Sequence, residues 1–146
     1  MKKILTALLL AAISIPAAMA DTPAELRSKA FKKMLVQSFE PMGMVARGRA
    51  PYNPAQFQQY ADALKPLAAE PFQHFPANSI EGKSRAKPEI WTQPAKFQAD
   101  KEAFLKSVDA LALAARGKDL AAIKKSYAAV AQSCKTCHDS FRGPEK

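Results

Sequence analysis

The chain has 146 residues, 48% of them hydrophobic and 24% charged, and its 22 Lys and Arg against 13 Asp and Glu give a formal net charge of +9. That length suits a single domain. The cations are spread along the chain with no Lys/Arg cluster interleaved with aromatics, which argues against nucleic-acid binding and leaves a positive, solvated surface suited to acidic protein partners.

In chain order, Lys2 and Lys3 precede an apolar run from Ile4 to Ile15, then Pro16 and the small residues Ala17, Ala18, Met19 and Ala20. This layout predicts a secretory signal peptide over residues 1–20, cleaved before Asp21. The apolar run is too short to span a membrane. No later segment approaches spanning length, so residues 21–146 are expected to form one soluble domain in a bacterial periplasm, its formal charge lowered by the loss of two lysines.

From Asp21 onward the apolar residues recur at helical spacing and no period-2 strand is found, which predicts an all-α chain of four helices. The first opens with Thr22-Pro23-Ala24-Glu25, a capping box with proline at its first position, and ends near Gly48. Its inner stripe would hold Phe31, Leu35, Met42 and Val45, and Pro41 predicts a kink or break. The second opens at Asn53-Pro54-Ala55-Gln56 and sets Phe57, Tyr60, Leu64 and Leu67 on one face. The third, from about 95 to 116, carries Phe97, Phe104, Val108 and Leu111 and stops at Gly117. The fourth, with Asp119 suited to its first turn, aligns Leu120, Ile123, Tyr127, Val130, Cys134, Cys137 and Phe141 before Gly143-Pro144 ends it. Such helices predict an antiparallel, up-down four-helix bundle, a fold that places cofactors in its core. The second and third are joined by a proline-rich segment from about 71 to 94, too long for a passive turn and expected to cover something. There Phe72, Phe75 and Trp91 would seal against the bundle, Trp91 offering its indole N–H to a propionate or a carbonyl. His74 reads as loop packing.

Cys134-Lys135-Thr136-Cys137-His138 is the C-x-x-C-H pattern of c-type haem attachment. Two thiols must reach the two vinyl groups of one porphyrin, while an imidazole must stand under the iron. Spacings of three and four on a helix project all three from one face. Cys134 and Cys137 are therefore the candidate covalent haem attachments, one haem c per chain, and His138 the axial ligand. A haem-free helical protein with a Cys134–Cys137 disulfide is the alternative from another class, although so small a loop stabilises little. No Ser/His/Asp set, nucleotide loop or carboxylate pair points to an enzyme.

On the residues CKTCHDSFR, Arg27-x-x-x-Phe31, Gly48-Arg49-Ala50-Pro51-Tyr52 and Lys87-Pro88-Glu89-Ile90-Trp91, the chain resembles the class II c-type cytochromes, and within them the cytochrome c′ family. The resemblance spans the whole of residues 21–146 and implies a haem inside the bundle with five-coordinate iron. It places Phe31 on the vacant face, Arg27 at the pocket and Arg142 beside the proximal face. A phenyl ring cannot ligate iron, so the implied pocket is dry and admits nitric oxide and carbon monoxide. One-electron exchange with redox partner proteins and a homodimer are further expectations of the resemblance. The first helix departs from the family pattern by one extra residue between Arg27 and Gly48. Some relatives carry a first-helix methionine as sixth ligand, which makes Met34 the competing candidate and a low-spin, pure electron carrier the competing function. Arg27, read without the resemblance, is a solvated helix-face charge or a partner for a propionate.

Overall fold

A computed structural model describes residues 20–145, so the expected signal sequence lies, apart from Ala20, outside the described residues. The elements are α1 (Pro23–Met34), a π-helical turn (Leu35–Phe39), α2 (Glu40–Ala46), α3 (Pro54–Ala69) continued by a 3-10 turn (Glu70–His74), the short α4 (Glu89–Thr92), α5 (Pro94–Gly117) and α6 (Leu120–Phe141). Their starts follow local chemistry. Thr22 accepts from the Glu25 amide while the Glu25 carboxylate accepts from the Thr22 amide, the full capping box. Asn53 caps α3 through the Gln56 amide, and Asp119 caps α6 through the Ala121 amide, so Asp119 stands one position before the helix and not within its first turn.

The first bundle helix is α1, the π turn and α2 in series; α3, α5 and α6 are the other three. α5 packs on α6 and on α3, and the first helix closes the ring by meeting α3 through α1 and α6 through α2. The result is the antiparallel four-helix bundle, with no strand among the described residues. Its core is apolar and tight: Met42, Phe57, Leu64, Val108, Leu111, Ile123 and Val130 are at most 2% exposed. Burying such side chains stabilises by roughly 1.5–3 kcal/mol each before the entropy of ordering them is counted.

The expected break in the first helix falls just ahead of Pro41. There the Glu40 amide reaches back five residues to the Leu35 carbonyl, and the widened turn absorbs one residue. An α-helical proline ring would clash with the carbonyl four residues earlier, and widening the turn relieves that clash. The turn also corrects the predicted stripe. Leu35 is rotated outward to 36% exposure, whereas Ser38 is fully buried and donates its hydroxyl hydrogen bond to the Tyr60 carbonyl on α3. Phe31 and Val45 are half-buried and pack against the core, Met42 and Met34 lie within it, and the α3 and α6 stripes stand as expected.

Candidate functional site

Cys134, Cys137 and His138 occupy the last two turns of α6, on the side of the helix that continues the Ile123, Tyr127 and Val130 stripe into Phe141. Both cysteines are free and half-buried. Burial leads in pushing each thiol up to about 11, so both are protonated near neutral pH. His138, more exposed, is held below the ordinary histidine range, first by desolvation and then by the positive charges of Arg142 and Arg85, with Asp139 opposing. Its neutral ring, the form whose nitrogen lone pair an iron requires, is therefore favoured.

The end of α6 is fastened by the long loop. The Lys87 amide donates to the Phe141 carbonyl at 3.0 Å, the Gly143 amide to the Arg85 carbonyl at 2.7 Å, and Lys87 Nζ to the Ser140 carbonyl at 2.9 Å. Ala86 and Arg142 thus form an antiparallel bridge. These contacts satisfy carbonyls that a helix terminus leaves without intrahelical partners, and they hold Arg85, whose side chain donates to the Gly143 carbonyl and to Glu145, near enough for its charge to act on His138. Arg142 itself is exposed.

Next to this end lies a cluster of phenylalanines. Phe72 is its hub, 5.9 Å from Phe31, 6.2 Å from Phe75, 6.1 Å from Phe97 and 6.1 Å from Phe104, centroid to centroid. Phe97 in turn meets Phe141 edge-on at 5.3 Å. A continuous run of rings therefore joins Phe31 on the first helix to Phe141, three residues beyond His138. The long loop seals this cluster as expected, and the Trp91 indole N–H goes to a carbonyl, that of Phe75 at 3.3 Å. Met34 is buried in the central core at 4% exposure. Arg27 corrects its expectation as a solvated charge: it is 5% exposed and donates into the loop.

The donor set fits a c-type haem. Among the described residues no three His, Cys, Asp or Glu side chains converge to hold a bare metal ion. Two thiols and one imidazole on a single helix face, against apolar rings, suit a macrocycle that brings its own four nitrogens.

The family model for cytochrome c′ matches residues 22–142. This chain belongs to the cytochrome c′ family. It is 35% identical over 109 residues, 75% of this chain and 84% of the relative, to the cytochrome c′ of Alcaligenes xylosoxydans xylosoxydans. It superposes with a TM-score of 0.78 and 34% identity on a carbon monoxide-bound variant of cytochrome c prime from Alcaligenes xylosoxidans, covering 84% of this chain and 94% of that one. A nitric oxide complex of another variant of that protein gives a TM-score of 0.79 and 33% identity over 87% of this chain and 100% of the other. Cytochrome c′ proteins are haem proteins that bind haem c covalently.

Three features of the site carry no local signal in the sequence. They are the seating of Arg27 in the loop, the approach of Arg85 to His138, and the wide turn that sets the register of the first helix; only the surplus residue between Arg27 and Gly48 hints at the last.

Proposed function

We propose that residues 1–20 export this chain to the periplasm and that residues 21–146, as one domain, hold a single haem c. Cys134 and Cys137 hold it by thioethers and His138 by its imidazole. When bound, the haem iron supplies one-electron exchange and a position for a diatomic ligand, nitric oxide or carbon monoxide. The reading rests on one observation: the thiol pair and the imidazole share the face of α6 that borders the ring cluster reaching Phe31. Phe31 offers neither a hydrogen-bond donor nor a lone pair, so it excludes water and leaves neutral diatomics as the ligands that suit its side of the site.

Electron exchange with acidic partner proteins is supported by the positive charge of residues 21–146, which keep 20 Lys and Arg against 13 Asp and Glu once Lys2 and Lys3 are removed, a net +7. A groove of about 470 Å³ between the end of α2 and α6, rimmed by Arg47, Lys124 and Lys135, points the same way. Leu35 and Val36, 36% and 54% exposed on the π turn, give apolar surface for a second copy. Arg142 flanks His138 from the chain end, where its charge favours the neutral imidazole.

Optical spectra of the exported protein test the proposal, ferric and ferrous, with and without carbon monoxide, for the native chain and for Phe31→Ala and Met34→Leu. A high-spin ferric spectrum, carbon monoxide binding on reduction, faster binding in Phe31→Ala and no spectral change in Met34→Leu are expected. A low-spin ferric spectrum with a sulfur-to-iron band that Met34→Leu abolishes would overturn the open face and make Met34 the sixth ligand.

A further inference from the structure

Among the described residues Arg27 is the only buried charged side chain, and no carboxylate pairs with it directly. Burying a guanidinium is unfavourable unless its N–H donors are satisfied, and here neutral acceptors satisfy the four donors of its two amino groups. One amino group donates to the His74 carbonyl at 3.2 Å and the Ser79 hydroxyl at 2.9 Å. The other donates to the Ser79 carbonyl and to the Ser84 hydroxyl at 2.6 Å. The guanidinium carbon also sits 4.9 Å from the Phe75 ring centre. One planar fork thus gathers residues 74, 75, 79 and 84.

The loop is held at its two ends, where Phe75 packs on Phe72 and Phe97 and accepts from the Trp91 indole N–H and where residues 85–87 pair with the end of α6, but its middle has little beyond Arg27. Its own backbone bonds are local turns, Ser79 to Pro76, Ile80 to Asn78 and Ser84 to Glu81. Asn78 and Gly82 take positive φ of 57° and 62°, so the path is kinked twice. The one other tie to the first helix is the Glu81 carboxylate, which accepts from the Ala24 amide at 3.2 Å. Arg27 stands four residues before Phe31, and Phe75 under its guanidinium joins Phe31 through Phe72.

We propose that Arg27 is a positioning residue that seats the loop of residues 74–84 against the ring cluster, and through that seating sets how readily small ligands and water reach the site beside Phe31. This rests on the haem reading for its second half only; the seating stands on the loop contacts themselves. A lysine cannot replace Arg27 in this role. A single ammonium presents three donors from one point, whereas the loop acceptors are spread across both arms of the fork.

The test uses the full exported chain with its haem and three variants: Arg27→Gln, Arg27→Lys and Ser79→Ala. The readouts are amide hydrogen exchange, tryptic cleavage after Lys83 followed by mass spectrometry, and the association rate of carbon monoxide with the ferrous protein. Losing one charge-assisted hydrogen bond shifts a local opening equilibrium by about tenfold. Arg27→Gln and Arg27→Lys are both expected to speed exchange in residues 77–84 and cleavage after Lys83 by at least about tenfold, with α5 and α6 unchanged and carbon monoxide association faster. Ser79→Ala, which leaves the cation in place, should loosen the same segment to a smaller degree and answers the question if the Arg27 variants do not fold. Full loop protection in Arg27→Lys, loosening spread evenly through the bundle, or a loosened loop with an unchanged association rate would each overturn the proposal. A chain that carries no haem by mass yet shows the loop response would overturn the proposed function and leave the seating role intact.

Discussion

Gly43→Ala sets two effects of opposite sign against each other, and the structure decides between them. In an open helix the change would stabilise by about 1 kcal/mol, because glycine loses more backbone freedom than alanine. Here a Cβ on Gly43 would lie 2.3 Å from the Tyr127 hydroxyl and 2.8 Å from an Arg47 amino nitrogen, so the phenol must retreat by about 1 Å to reach ordinary contact. It has little freedom to do so. Tyr127 is 8% exposed and its ring is stacked on Phe39 at 4.5 Å and 15° between planes. Breaking that stack costs about 0.5–1.5 kcal/mol, and forcing α2 away from α6 costs about 1–3 kcal/mol. The net expectation is destabilisation by about 0.5–3.5 kcal/mol, or roughly 2–14 °C in the midpoint of a domain this size. Thermal and urea unfolding of the native chain, Gly43→Ala, Tyr127→Phe and the double variant measure it. Removing the hydroxyl relieves the 2.3 Å contact, so the double variant should recover much of the loss. A Gly43→Ala chain as stable as the native one, or a double variant no better than the additive sum, would refute the claim that the α2–α6 contact is close-packed at this point.

Ser38→Ala should lower stability by about 0.5–1.5 kcal/mol in urea unfolding, because it removes the hydrogen bond to the Tyr60 carbonyl, which keeps its partner within α3; an unchanged midpoint would show that this bond adds nothing net to the packing of the π turn on α3. Glu81 is held below the ordinary carboxyl range, chiefly by backbone hydrogen bonds from its own amide and that of Ala24, with Arg27 adding to the effect. Its contribution to loop protection is therefore complete above the ordinary carboxyl pKa and lost as pH falls through the lowered one. The protection of residues 77–84 against hydrogen exchange, taken relative to the intrinsic rate at each pH, should consequently fall with acid in the native chain and show a flatter acid profile in Glu81→Gln, the reverse pattern counting against the contact. In the haem-free chain both thiols, raised to about 11, should react with iodoacetamide slowly at pH 8, where about a thousandth is thiolate, and progressively faster toward pH 11. Fast alkylation of either at pH 8 would show that the burial is absent.

The parts of this protein legible in its sequence are those fixed by neighbours close along the chain. The Thr22–Glu25 box, the Asn53 cap and the spacing of Cys134, Cys137 and His138 all act within four residues, so residue type and interval suffice to read them, whereas residue type alone sets Asp119 one position too far into its helix. The hydrophobic rhythm of α3, α5 and α6 is similarly local. The first helix resisted because its register depends on where the surplus residue goes. That choice is made across the bundle, by a Ser38 hydroxyl that finds a carbonyl on α3 and a Pro41 that needs a widened turn. Arg27 was unreadable for a related reason: its acceptors lie 47 to 57 residues away, in a loop whose path nothing in the sequence specifies. Arg85 acts on His138 through its charge, from a position set by the pairing of residues 85–87 with the end of α6.

The intact mass of the exported chain under denaturing conditions tests the central claim most directly. The account predicts a chain beginning at Asp21 and heavier by one haem, the addition mapping to the peptide that holds Cys134 and Cys137 and vanishing in Cys134→Ser/Cys137→Ser. A chain of protein mass alone after expression with a working haem-attachment system, or pigment that acid acetone extracts, would contradict it.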